Sequence, residues 1–268
     1  MKLNIVPAST GAQWVLASVR TFFKRPVALI GLFLMFVATL SLVAIIPLVG
    51  MFIALALVPA FTVGLMAGTR EAEAGRFPFP NTLFVALRQG RDETRAMLLL
   101  GALYALAVLA VLGITALIDG GSLAQIYLGQ ISLSQELADD PRLRTALWVS
   151  TLLYLPISLA FWHAPALVHW HAVPPVKSLF FSFVAVLRNA RAFLLYGALW
   201  LMLSFGAGMA LLLFMLLNSS SAGATVVATA MFPLSLVLAA IFFTSLWFTF
   251  RDSFAEGDDT PPPAGPQA

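Results

Sequence analysis

Val27-Ala-Leu-Ile-Gly-Leu-Phe-Leu-Met-Phe-Val-Ala-Thr-Leu-Ser-Leu-Val-Ala-Ile-Ile46 runs for twenty residues without a charge, and a second apolar run, 48–69, follows directly after Pro47. About 20 apolar residues make a helix long enough to cross the hydrocarbon core of a bilayer. Two such runs joined only by a proline and its neighbours must fold back as an antiparallel hairpin, because the connection leaves no other path. Working outward from this pair, four further segments qualify: 97–118, 146–170, 193–217 and 224–250, the last two joined by 218–223 alone. The expected fold class is all-α, a polytopic membrane bundle of six transmembrane helices forming a single transmembrane domain, 1–254. The first run is longer than the roughly 7–15-residue apolar core of a cleavable signal, so it reads as a retained span. The tail 255–268, with Glu256, Asp258, Asp259 and three consecutive prolines, is acidic and poor in apolar residues, and disorder is expected there.

Composition points the same way. Of 268 residues, 60% are hydrophobic and 10% charged, against roughly 45–50% and about 25% in water-soluble domains. The formal net charge of +3 does not imply a nucleic-acid partner, because the basic residues sit in short loops rather than on a soluble domain. With no cysteine in the chain, disulfides, thiolate metal sites and thiol chemistry are excluded, and no cofactor is expected.

The loops decide which way the bundle should face. Lys2, Arg20, Lys24, Arg25, Arg70, Arg76, Arg88, Arg91, Arg95, Lys177, Arg188, Arg191 and Arg251 fall on one side of the spans, while Arg142 and Arg144 fall on the other. Basic residues are retained in the cytoplasm, so both termini are expected there, in a bacterial inner membrane. Trp14, Trp162, Trp170 and Trp247 cluster towards the same boundary as an aromatic belt would, with Trp148 marking the outer face.

An internal threefold repeat is also expected. Arg95-Ala-Met-Leu-Leu-Leu-Gly101-Ala-Leu-Tyr104 aligns without a gap on Arg191-Ala-Phe-Leu-Leu-Tyr-Gly197-Ala-Leu-Trp200, and Arg25 with Gly31 follows the pattern more loosely. Pro59, Pro156 and Pro233 then fall in the second arm of each hairpin. Each unit reads as a short interfacial helix, a basic approach and a membrane hairpin. The first short helix puts Trp14, Val15, Val19, Phe22 and Phe23 on one side and Gln13, Arg20 and Lys24 on the other. The third opposes Phe180, Phe183, Val184 and Leu187 to Ser178, Ser182, Ala185 and Asn189. Such helices lie in the interface plane beside anionic headgroups; the alternative is that they plug the mouth of the bundle. The expected headgroup contacts are Arg20, Lys24, Arg25, Arg88, Arg91, Arg95, Lys177, Arg188 and Arg191.

Chemistry-bearing residues are sparse. No Asp, Glu, Lys or Arg lies inside any of the six apolar segments, whereas ion-coupled carriers bury such groups. Glu71, Glu73, Asp92 and Glu93 share a loop with five arginines, which makes solvated ion pairs the simpler account, and no catalytic residue is assigned. His163, His169 and His171 are the candidate metal ligands, but spacings of six and two point them apart on a regular helix, and a kink at Pro165 would be needed to gather them. An interfacial structural cluster is the expectation. His163, deepest of the three, is expected to need a partner for its ring N–H, with the Leu159 carbonyl as one candidate acceptor, so that His163→Phe would keep insertion but lower stability. Ala60, Gly64 and Gly68, and Ser204 with Gly208, form small-residue ridges suited to close packing. In the outer loop, 119–145, a lid with a capping box at Ser132 and Gln135 is expected.

The segments Arg70-Glu-Ala-Glu-Ala-Gly-Arg-Phe-Pro, His163-Ala-Pro-Ala-Leu-Val-His-Trp-His171 followed by Pro174-Pro175-Val-Lys-Ser-Leu-Phe-Phe181, and Phe248-Thr-Phe-Arg-Asp-Ser-Phe254 together give the chain a family likeness. It resembles an uncharacterised family of betaproteobacterial inner-membrane proteins, up to Phe254. The hairpins also look distantly like the membrane domain of some glycerophosphodiester phosphodiesterases, though the chain leaves no room for their catalytic domain. The resemblance implies location and architecture, with no substrate or site residue. The reading is therefore a non-catalytic accessory, scaffold or lipid-organising protein whose partners are membrane lipids. A passive carrier or flippase for a hydrophobic or lipid-like substrate is the alternative; a polar cavity between helices would favour it. The basic asymmetry predicts that a reporter active only outside the cytoplasm works when fused near Gln130 or Ser220 and fails after Phe254; activity at the last position would overturn this topology.

Overall fold

The computed structural model describes residues 2–218 and 221–255. Within them the chain is helical almost throughout: α1 (Thr10–Lys24), α2 (Pro26–Ala44), α3 (Gly50–Glu73), a 3-10 helix (Pro80–Leu87), α4 (Arg91–Asp119), α5 (Ser122–Tyr127), α6 (Gln135–Asp139), α7 (Pro141–Phe161), α8 (Ala164–His171), α9 (Pro175–Arg188), α10 (Ala190–Leu217) and α11 (Ser221–Ser253). Six stretches are long and apolar enough to cross a membrane: α2, α3, α4, α7 with α8, α10 and α11 from Val226. The all-α bundle of six spans is therefore present. Between α2 and α3 the turn takes more residues than the sequence suggests: α2 stops at Ala44, Leu48 adopts φ 69°, and α3 resumes at Gly50. At the other extreme, α4 and α7 reach back to Arg91 and Pro141, helical turns that stand in the polar zone beyond the apolar runs.

α3 is the hub, packing on α2, α4, the 3-10 helix, α11, α1 and α8. Half of its apolar stretch is buried, against 6% for those of α7 and α10. Its small residues explain the difference. A Cβ at Gly64 would strike the backbone of Leu83 in the 3-10 helix, one at Gly68 would strike the Leu32 side chain, and one at Gly101 of α4 would strike the Ala56 carbonyl of α3. Along the Ala60–Gly64–Gly68 ridge the expected close packing is realised. The Ser204–Gly208 ridge on α10 behaves otherwise, since nothing lies within 4 Å of a Cβ built at Gly197 or Gly208. Instead these residues line an open groove of about 720 Å³ between α10 and α11.

Burial is graded along the bundle axis. The main core gathers Trp14, Phe22, Phe61, Leu83, Met97, Leu100, Leu167 and Phe248, all towards the basic end. At the opposite end Leu123, Leu143 and Ala146 form only a small cluster under α5 and α6. There the loop does fold into a lid, with a different cap from the one expected: Ser134, not Ser132, accepts from Leu137 N at 3.2 Å and starts α6. Ser132 comes too early, because helix α6 begins only at Gln135.

The two short amphipathic helices split the alternatives between them. α1 turns its apolar face inward, burying Trp14, Val15 and Phe22 against α10 and α11, so it plugs the bundle. α9 does the reverse, burying Ser178, Ser182 and Ala185 while Phe180, Phe181 and Leu187 stay exposed. The chain's ends meet beside α1: Lys2–Leu3 pairs antiparallel with Phe254–Ala255. Ala255 is thus paired rather than disordered, and the rest of the expected disordered tail, 256–268, lies outside the described residues.

The contrast between glycines gives a direct test. Gly101→Ala forces a backbone separation and is expected to cost about 1–3 kcal/mol, read as a lower unfolding temperature in detergent. Gly208→Ala meets open space and gains helix propensity, so its unfolding temperature should hold or rise.

Candidate functional site

Most long-range side-chain hydrogen bonds among the described residues lie at the basic end, and the site there has two parts. The first is a clasp that fastens the chain's ends. Asn189, buried at the α9–α10 junction, behaves like a piece of strand: its Oδ1 accepts from Val6 N at 2.9 Å and its Nδ2 donates to Asn4 O at 3.0 Å. Asn4 N donates to Ser253 O at 2.9 Å, and Asp252 Oδ2 accepts from Trp14 Nε1 at 3.0 Å. Beside it, Glu73 takes Trp247 Nε1 at 2.7 Å and Arg251 Nη1 at 2.5 Å. The tryptophans expected as a lipid-facing belt therefore point inward at this end, since Trp162 Nε1 also donates to Thr249 Oγ1 at 3.1 Å. At the other end Trp148 is 72% exposed, as a belt residue should be. Of the acids expected to be solvated, Glu71 pairs with Arg76 in the loop, but Glu73 is drawn into the bundle.

The second part is the set of cations. All nine expected headgroup contacts, Arg20, Lys24, Arg25, Arg88, Arg91, Arg95, Lys177, Arg188 and Arg191, are exposed. Two of them cap a helix: Lys24 Nζ donates to Glu73 O at 3.0 Å and an Arg25 Nη to Gly75 O at 2.9 Å. Cations at those positions oppose the negative end of the α3 dipole. Arg88, Arg91 and Arg95 instead share an open pocket of about 510 Å³ with Gly90 and Thr94 at the N-terminus of α4. Arg88 lies over the Phe84 ring at 5.9 Å, and none of the three makes an ion pair among the described residues. Asp92 and Glu93 stand in the same first turn, with the Glu93 carboxylate beside Gly90, so they share the positive end of the helix dipole with the three guanidinium groups; the remaining positive charge suits a phosphate-like anion.

The histidines are separate from this arrangement. His163 lies fully buried against the rings of Phe193, Phe250 and Phe254. His169 meets Trp170 edge-on, and His171 tilts over Phe250. Among the described residues no three His, Asp or Glu come together as a metal site would need. The expected hydrogen bond from the His163 ring is absent, for both ring nitrogens are buried without a partner. Leu159 O is indeed engaged, but by Ser182: its Oγ donates to Leu159 O and accepts from His163 N, both at 2.9 Å. A side chain inserted into the i→i−4 ladder bends a helix, which places the α7–α8 break at Trp162–His163 rather than at Pro165.

Over 257 residues the chain is 37% identical to a probable inner membrane protein of Burkholderia thailandensis, covering 95% of this chain and 94% of that one. The chain belongs to that protein's family. No family model matches it, and no solved structure does. This family member is thus a multi-pass inner-membrane protein, and the exposed leucines and phenylalanines of α7 and α10 face lipid.

The corrected His163 geometry reverses the stability expectation. A buried, unpaired polar group costs about 1–3 kcal/mol, and an aromatic cage accepts phenylalanine readily. His163→Phe should raise the unfolding temperature, whereas Ser182→Ala, which removes the bridge, should lower it. A lower temperature for His163→Phe would show that the ring holds a partner.

Proposed function

We propose that this family member is a non-catalytic, lipid-organising protein, inserted with its basic end and both termini in the cytoplasm, and that it holds anionic headgroups at that end. The observation that carries this reading is the open three-arginine pocket at the start of α4, whose arginines make no ion pair among the described residues and outnumber the two carboxylates, Asp92 and Glu93, of the same first turn. α9 supports it, because its exposed Phe180, Phe181 and Leu187 accompany Lys177 and Arg188 as in a helix resting on an interface. Acidic groups elsewhere serve structure: Asp119 accepts from Gly121 N and Leu123 N to start α5, and Asp140 accepts from Arg142 N to start α7. Neither Asp119 nor Asp140 is paired with a second carboxylate among the described residues, as metal-assisted hydrolysis would ask.

The threefold unit belongs to the same proposal, with its likeness to the membrane domain of some glycerophosphodiester phosphodiesterases. Each pair of long helices follows a short one at the basic end: α1, the 3-10 helix and α9. The aligned residues Tyr104 and Trp200 both line clefts on the bundle's flank. A passive carrier for a lipid-like substrate is the second reading; the unfilled groove between α10 and α11 offers it room, but its lining is apolar rather than polar.

Replacing Arg88, Arg91 and Arg95 together with Gln tests the main reading. In mixed-lipid nanodiscs the preference for anionic lipid should fall by about 1 kcal/mol per cation removed, measured by the composition of lipid retained around the protein. An unchanged preference overturns it.

A further inference from the structure

On the far side of α4 from the clasp, α3, α4, α5 and α7 enclose a cleft of about 580 Å³ that the sequence did not single out. Met51 and Leu55 of α3, Val108 and Leu112 of α4, and Leu155 of α7 form its walls, and no charged side chain lines it. Its size falls in the range of small-ligand sites, roughly 300–1,000 Å³. Within it, the hydroxyls of Tyr104 and Tyr154 meet at 2.9 Å. Two hydroxyls bring two hydrogens, and the bond between them uses one. The other O–H has no acceptor among the described residues, while the neighbouring Ser150, Thr151 and Ser158 hydroxyls donate to carbonyls of their own helix.

Depth makes this vacancy informative. Tyr104 lies seven residues inside the basic edge of the apolar run 97–118, so at about 1.5 Å per residue it stands roughly 10 Å inside the hydrocarbon, where an unpaired donor is costly. A ligand that satisfies it must carry an acceptor oxygen well below the headgroups on an apolar body. Phospholipids are poorly suited, since a charged headgroup holds their ester oxygens near the interface.

We propose that the cleft binds an uncharged lipid without a phosphate headgroup, its ester, carbonyl or hydroxyl oxygen accepting from the Tyr104–Tyr154 pair. The Tyr127 side chain of α5 stands at the outer mouth of the cleft. This site does not rest on the arginine pocket, which lies at the opposite end of α4 and selects for negative charge.

Photolabelling of the full chain in phosphatidylcholine nanodiscs tests it. The probes are a diacylglycerol, a long-chain isoprenoid alcohol and a phosphatidylcholine, each with a diazirine midway along its chain. Labelling of Met51, Leu112 or Leu155 by either neutral probe and not by the phosphatidylcholine is the expected result, and which neutral probe labels identifies an ester or a hydroxyl as the acceptor. The double variant Tyr104→Phe, Tyr154→Phe should label about threefold to tenfold less, the loss of one net hydrogen bond. Thr151→Trp, which fills the cleft and keeps both tyrosines, should abolish labelling at an unfolding temperature near that of the parent. Equal labelling by phosphatidylcholine, or unchanged labelling in either variant, overturns the site. The variant lacking Arg88, Arg91 and Arg95 should label normally, so failure of the headgroup reading and failure of this one are told apart.

Discussion

Inside hydrocarbon, helices gain nothing by hiding leucine from lipid tails that are just as apolar, so a bundle holds together where backbones come close and dispersion contacts are dense. In this protein that happens around α3. Gly101 lets α4 lie on the Ala56 carbonyl, and Gly64 admits the 3-10 helix backbone at Leu83. Two consequences follow from that hub. The helices that touch α3 through small residues form the core, and those that do not, α7 and α10, remain largely open to the bilayer. Both flanking clefts lie along these two peripheral helices.

Polar bonding adds a second, orthogonal asymmetry. Trp14, Trp162 and Trp247 each bring an indole N–H into the basic end, where Asp252, Thr249 and Glu73 accept it. These bonds are part-buried, and those to charged acceptors contribute more than neutral ones. They draw α1, α3 and α11 together and let Asn189 tie the first residues of the chain to the α9–α10 junction. Nothing comparable exists among the described residues at the other end, and the Tyr104–Tyr154 pair, the long-range side-chain bond deepest in the span, leaves a donor over. The protein is consequently tight on one side of the membrane and loose on the other.

What the sequence made legible was whatever depends on length, composition and charge sign. Six apolar runs became six spans because nothing else in a bilayer satisfies their backbones, and the nine cations are all at the surface. The direction in which side chains turn was not legible. α1 and α9 share a short amphipathic pattern, yet one buries its aromatic face and the other its serines; periodicity gives two faces without saying which meets protein and which meets lipid. Tryptophans near a boundary were read as a belt for the same reason, since an indole at the interface and one donating to a carboxylate of the bundle occupy the same place along the chain. Tyr104 and Tyr154 are fifty residues apart and unremarkable singly; only the packing of α4 on α7 makes them a pair. The signal that was present for Ser182 was its place on the small, polar face of α9, and the helix break it creates needed the facing backbone to be seen.

This arrangement bears on the choice between organising lipid and conducting it. A passage from one leaflet to the other through this bundle would have to part α1 from α10 and α11, breaking the buried contacts of Trp14 and the bonds of Asp252 and Asn189 together. Several part-buried hydrogen bonds and a packed aromatic core would be lost at once, with no charged side chain inside the six apolar runs to couple to an ion gradient. The flanking clefts ask for much less, since a lipid reaches them sideways from the bilayer and displaces only other lipid. On the proposed reading the two ends therefore divide the work: arginines hold charged headgroups where the bundle is closed, and the clefts take uncharged chains where it is open.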